Sequence, residues 1–324
     1  MAETWIDLLR LLDGALRLAT PLILCAMAGL VSERSGVINI ALEGKLLTGA
    51  FTAAAAVTLT GSVAVGLAAA VCAATMLSMV HGFACITHRG EQIISGVAIN
   101  IVAAGLTVVA GNALFRQGGH TPPLASDDRF PALTLPFAET LAAVPVLGPF
   151  WGELVSGHTL PVYLALASVP VVWWLIYRSR FGLRLRAAGE LPEAVESAGV
   201  SVTVLRYRGL LIAGVLCGVA GAYLSTGHGG GFVRDMSAGK GFLALAALIF
   251  GRWKPWPVLF ACLLFGVLDA AAPRLHGLEV PLLGTVPVAL VSVLPYGLTV
   301  VLLAGFFGRA EAPGALGRPP GRTG

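Results

Sequence analysis

Four stretches of this sequence carry side chains that could do chemistry. Ser32–Lys45 (SERSGVINIALEGK) gathers Glu33, Arg34, Asn39, Glu43 and Lys45 between two apolar runs. Gly227–Gly241 (GHGGGFVRDMSAGKG) sets Arg234, Asp235 and Lys240 among glycines, with Phe232 and Phe242 beside them. Asp269 stands inside LLFGVLDAAAP, and residues 185–200 read LRAAGELPEAVESAGV. None has the spacing of a catalyst: no His, Cys, Asp or Glu set shows metal-ligand spacing, and neither GxSxG nor HExxH occurs. Gly239-Lys240 imitates the end of a phosphate loop, but Arg234 replaces its first glycine and Gly241 follows the lysine where Ser or Thr is required. The chain reads as a non-enzyme without a cofactor or metal of its own.

The elements that must position these residues are membrane spans. Of 324 residues, 56% are hydrophobic and 12% charged, and the mean hydropathy is +0.85. A soluble domain carries about a quarter charged residues and could not keep so apolar a surface in water. The apolar runs predict spans near 11–31, 41–60, 63–87, 93–115, 160–177, 209–226, 242–251, 256–272 and 286–307, since roughly 18 apolar residues mark a crossing. The fold class expected is all-α, a polytopic bundle of about 8–10 spans with broken helices and a short cytoplasmic helix. Residues 1–308 form one transmembrane domain; 309–324, rich in Pro, Gly and Arg, has the composition of a disordered tail. The five cysteines are widely spaced and read as packing residues.

Orientation follows from the basic residues, which favour the cytoplasmic side. Arg178, Arg180, Arg184, Arg186, Arg206 and Arg208 crowd the loop 178–208; Arg252 and Lys254, and the tail with Arg309, Arg318 and Arg322, join it inside. The loop 116–159 and the N-terminus are then outside. The charge of +4 is thereby explained without nucleic acid, for which there is no basic face or known module.

Within this frame the polar stretches have two readings each. Ser32–Lys45 is either a cytoplasmic turn or a broken helix lining a cavity, where irregular backbone is tolerated at membrane depth. SGVINIA at Ser35–Ala41 is echoed, with one inserted residue, by SGVAINIVA at Ser95–Ala103, which reads either as an internal repeat of the kind transporters carry or as coincidence in a sequence rich in Val, Ile, Ala and Gly. Gly227–Gly241 is either an external loop or part of a translocation path. In the second case the half-length helix after it points free N–H groups into the cavity. Asn39, Glu43, Asn100, Phe232, Asp235, Lys240, Phe242 and Asp269 are the candidate path residues. Phe232 and Phe242 could stack on a base or simply pack, and Asp269 could be an intramembrane site or solvated near the outer end. Gly214 and Gly218 form GxxxG, for close packing within the bundle or in a dimer.

The stretch 185–200 is built as a helix in water. Pro192 suits its first position, Glu193 its positive start and Gly199 a left-handed stop. Two turns are not stable alone and need a docking surface. Glu193-Ala194, with Gly199 six residues after the Glu, resembles the EAA loop of ABC importer permeases, although Val195 replaces the usual second Ala. ERSGVINIALEG, GEQIISGVAINIVAAGLT, VPVLGP, RAAGELPEAVESAGVSV, AGKGFLALAALIFGRWKPW and LLFGVLD follow in that order. Together they resemble the nucleoside and simple-sugar branch of these permeases, the ribose-permease-like type II group, over about Pro21 to Phe307.

That resemblance implies a permease subunit in the cytoplasmic (inner) membrane that passes nucleosides or simple sugars. It pairs with a second permease chain, a paralogue or itself, and with a cytoplasmic ABC ATPase and an extracytoplasmic substrate-binding lipoprotein. Arg186, Gly189, Glu190, Pro192, Glu193, Ala194, Ala198 and Gly199 would couple to the ATPase. The alternative is a stand-alone ion-coupled carrier or facilitator for a small polar solute, which has no need for such a helix.

Overall fold

The computed structural model describes residues 2–136, 144, 146–275, 279–280, 284–285, 297 and 311–319. The expected span 286–307 lies, Gly297 apart, outside the described residues. The main helices among the described residues are α1 (Ala2–Arg34), α2 (Leu42–Thr60), α3 (Val63–Gly82), α4 (Gln92–Phe115), α5 (Leu160–Arg178), α6 (Arg180–Glu190), α7 (Pro192–Ser197), α8 (Val202–Ala222), α9 (Lys240–Phe250) and α10 (Pro255–Leu275). α3 and α8 run on into π-helical turns, Phe83–Thr87 and Tyr223–His228. Among the described residues, strand is confined to two short antiparallel pairs, Ala132–Leu133 with His158–Thr159 and Glu279–Val280 with Gly284–Thr285.

Among the described residues, α1, α3, α4, α5, α8 and α10 are long and apolar enough to cross a membrane. They form two layers. The apolar windows of α1 and α8 are 83% and 78% buried, whereas those of α3 and α4 are 22% buried and leave their outer faces to lipid. α2 lies inside the ring, packed against α3, α4 and α8, and α9 fills a half-length slot against α1.

Small residues make that centre possible. Gly49 of α2 faces Gly218 of α8, and a Cβ on Gly218 would come within 2.5 Å of Val71 Cα on α3. Gly214 meets Thr75 and Ser78 of α3 in the same way. The GxxxG pair therefore serves packing within the bundle, where backbones approach closely because lipid supplies no hydrophobic drive between helices.

The loops sort to two ends of α1. At its last turn, Trp253 Nε1 donates to buried Glu33 (2.6 Å), and Arg34 donates to the Trp253 carbonyl (2.9 and 3.1 Å). Gly189 also packs there on the Arg34 carbonyl, and Glu190 lies 3.9 Å from the Arg34 guanidinium. Toward the other end, Asp13 pairs with Arg17 (2.8 Å) and lies 3.6 Å from His158; Tyr223 donates to the Arg17 carbonyl and Arg274 to that of Asp7. The segments expected inside thus meet at one end, and the loop 116–159 meets the opposite one.

Three boundaries differ from expectation. The sixth span begins as helix at Val202, its Ser201 cap accepting from Val204 N, so Arg206 and Arg208 belong to α8 and not to a loop. Arg206 is fully buried and is not a surface anchor. The loop 178–208 also contains a second helix, α6, whose Ser179 cap accepts from Gly182 N. Finally, Glu311–Pro319 does not behave as the disordered tail its composition suggests: Ala315 is wholly buried against the cytoplasmic end. Glycine and alanine suit a slot too narrow for larger side chains.

Replacing Gly218 by Val should overpack the α3–α8 seam and cost about 1–3 kcal/mol. Gly105→Val, with nothing within 4 Å of its Cβ, should cost far less. Thermal unfolding of the two detergent-solubilised variants measures the difference.

Candidate functional site at the helix breaks

Between α1 and α2 the chain leaves helical geometry from Ser35 to Ala41, and its backbone polar groups need partners. Side chains from α3 and α4 supply them. Ile38 N donates to Gln92 Oε1 (2.8 Å), and His81 Nε2 lies 2.9 Å from the Ile38 carbonyl, which can only accept, so that nitrogen carries the proton. Asn100 donates to the Ile40 carbonyl (3.0 Å) and accepts from Gly44 N (2.8 Å), spanning the start of α2. Asn39 is buried and accepts from the ammonium of fully buried Lys45 (2.6 Å). The echoed motifs therefore touch: the Asn of the second holds the backbone of the first.

The second break is joined to the first by one side chain. Glu43 accepts from Gly239 N (2.9 Å) through Oε1 and from Gly241 N (2.6 Å) through Oε2. Gly239 has a left-handed backbone (φ 80°), which turns the chain into α9, and a Cβ on Gly241 would lie 2.5 Å from Glu43 N. A carboxylate at a helix start meets both the free N–H groups and the positive end of the dipole. The other N–H groups of the turn are also taken: Lys240 by Ser237, and Phe242 and Leu243 by the Gly239 carbonyl. The expectation that α9 aims free N–H groups into a cavity is thus corrected, because the chain's own Glu43 occupies them. α9 has 11 residues. At 1.5 Å each that is about 16 Å, near half of a bilayer core of about 30 Å. Since α9 ends beside Trp253 at the cytoplasmic end, the Glu43 junction sits near mid-depth.

The remaining path candidates separate from this junction. Phe232 is buried, its ring edge-on to Phe51 of α2 at 5.2 Å, and its N–H donates to Thr121 Oγ1 (2.8 Å), so it packs. Leu124 N and Phe130 N also bond Gly230 and Thr226, which ties the Gly-rich segment to the loop 116–159. Asp235 is exposed at that end beside Arg234 (3.3 Å). Lys240 and Phe242 start α9, with Phe242 exposed. Asp269 lies away from Glu43, in a cavity of about 230 Å³ shared with Arg10, Arg17, His228 and Arg274. Gln92 and His81 are the residues sequence reasoning missed; the one signal was their polarity within apolar helices.

The coupling candidates also divide. On α7, Pro192 and Val195 are buried while Glu193 and Ala194 are exposed, as are Ala198 and Gly199 just after it. Gly199 is left-handed (φ 75°), the stop expected of it. Arg186 stacks over Tyr177 at 5.0 Å and donates to the Ile176 carbonyl, so it fastens α6 to α5. Gly189 and Glu190 are turned toward α1.

A family model described as "Branched-chain amino acid transport system / permease component" matches residues 11–303. The guanosine ABC transporter permease protein NupQ of Bacillus subtilis is 37% identical over 312 residues, 93% of each chain. The chain belongs to the ABC transporter permeases. The nucleoside ABC transporter permease protein NupC of Lactococcus lactis is 33% identical over 307 residues, 92% of each chain. The glucose ABC transporter permease protein TsgB13 of Haloferax volcanii is 27% identical over 293 residues, 85% of this chain and 71% of that one. This permease is therefore a multi-pass subunit of an ABC transporter in the inner membrane, and the stand-alone carrier is set aside.

Removing the carboxylate leaves the start of α9 uncapped. Glu43→Ala should destabilise the permease by about 2–4 kcal/mol, since hydrogen bonds to a charged group contribute roughly 1.5–3 kcal/mol each and do not add in full. Glu43→Gln keeps one acceptor oxygen and should lie between the two. Thermal unfolding of the purified variants checks the order.

Proposed function

We propose that this permease imports nucleosides, with simple sugars as the next class, as half of a paired permease fed by an extracytoplasmic binding lipoprotein and driven by a cytoplasmic ATPase. The observation that carries the proposal is the pairing of a mid-depth polar junction with a short helix docked on the cytoplasmic end. The junction joins two broken helices through Glu43 and supplies an element that can rearrange at the depth where a solute must cross. The helix supplies an input. α7 is anchored by Pro192 and Val195 and offers Glu193 and Ala194 outward, with Ala198 and Gly199 exposed just after it. Beside it an apolar groove of about 540 Å³ runs along Leu183, Ala187, Leu191 and Ala194. Leu191 is 63% exposed in water, which suits a surface awaiting a protein partner.

The nucleoside assignment is supported by what the relatives NupQ and NupC are named for, and the sugar alternative by TsgB13. Mechanistically, closure of the ATPase pair would press on α7. α6 would carry the displacement to Gly189 and hence to the end of α1, next to the Ser35–Ala41 break. Opening of that break toward the cytoplasm would then follow the ATPase cycle.

Gly199→Arg forces a bulky residue into left-handed backbone on the docking face, and Glu193→Lys reverses its charge. Both variants should insert in the membrane at parental levels and lose ATP-dependent uptake of radiolabelled guanosine by at least about tenfold. Parental uptake by either variant would contradict the α7 docking assignment.

A further inference from the structure

The segment after residue 310 makes a set of contacts that neither packing of the spans nor solubility requires. Gly314 N donates to Glu190 Oε2 (2.9 Å) and Ala315 N to the Gly189 carbonyl (2.8 Å), so the last turn of α6 is gripped twice. Two residues on, Gly317 N donates to the Gly36 carbonyl (3.0 Å), at the break between α1 and α2. The Arg318 carbonyl accepts from Arg206 Nη1 (2.7 Å), while Arg206 Nε donates to the Ser35 carbonyl (3.1 Å). Arg206 and Ala315 are both fully buried, and Leu316 packs on the main hydrophobic core.

We propose that Gly314–Arg318 is a strap of the coupling apparatus, pinned by Arg206, which makes the α6–α7 unit and the Ser35–Ala41 break move as one body. Only Leu191 separates α6 from α7, so displacement of α7 reaches Gly189 and Glu190 directly. The strap takes both residues at one end and Gly36 at the other. Three residues beyond Gly36 is Asn39, bonded to Lys45, and Glu43 lies just past it. A buried arginine that donates to two carbonyls from separate segments fixes their spacing, because its planar fork is rigid. The fit also constrains side-chain size: Gly317 is left-handed (φ 80°), and a Cβ there would sit 3.0 Å from Ile38. Arg206 and Gly314–Arg318 are thus positioning residues; neither needs to touch solute or ATPase.

The inference rests on the importer reading, and the experiment separates the two. The full complex, with its second permease, ATPase and binding lipoprotein, is placed in proteoliposomes, and guanosine uptake and ATP hydrolysis are measured together. ATP-dependent uptake by the unaltered complex tests the importer reading alone. A chain ending at Ala310, and Arg206→Met, should keep hydrolysis within about twofold while uptake per ATP falls about five- to tenfold, a coupling loss of the usual size. A merely structural role would lower the yield of complex and leave that ratio unchanged. Where truncation prevents assembly, Ala315→Glu, which puts a carboxylate into a fully buried site, is read in the same way. An unchanged ratio in the variants that assemble, or failure of all three to assemble, overturns the strap.

Discussion

The architecture turns on Glu43. A chain that interrupts two helices within a membrane exposes backbone groups that lipid cannot satisfy, each costing several kcal/mol. Here one carboxylate, carried at the start of α2, takes two N–H groups at the start of α9 and so makes each interruption support the other. Asn100, Gln92 and His81 complete the arrangement from the flanking helices α3 and α4. Without such a junction α9 could not stop at half depth, and the centre of the bundle would have to be continuous helix.

From this junction the polar contacts continue to the cytoplasmic end. The Ser35–Ala41 backbone leads to the last turn of α1, where Glu33 and Arg34 hold Trp253. Arg252 and Trp253 both adopt left-handed backbone (φ 51° each), which side chains with a Cβ resist, so the turn after α9 depends on those bonds. Arg186 of α6 over Tyr177 of α5 fastens the corner between them by stacking, while Arg178 over Trp173 stays within the last turns of α5. The outer layer of α3 and α4 contributes apolar surface on its far side and polar anchors on its near side.

Much of this was legible in the residues. Arginine placement sorted the loops to their ends, Pro192 and Gly199 bracketed α7, and the glycine and charge interruptions marked both breaks. Those signals are local, set by one or a few neighbouring residues. What could not be read was long-range. Glu43 and Gly239 are 196 positions apart, and nothing in either neighbourhood names the other. Phe232 looked available for stacking, yet a threonine in a different loop holds its backbone and turns its ring onto Phe51. The tail misled for a related reason: Gly and Ala lower both the tendency to fold alone and the width of slot a segment can enter.

The capped start of α9 has an electrical consequence. Helix N-termini attract anions because their N–H groups are unpaired. In this permease the N–H groups from Gly239 to Leu243 are all taken, two of them by a carboxylate. That helix start therefore offers no free N–H group to an anion. The positive end of the α9 dipole is thus spent inside the protein, holding α2 to α9.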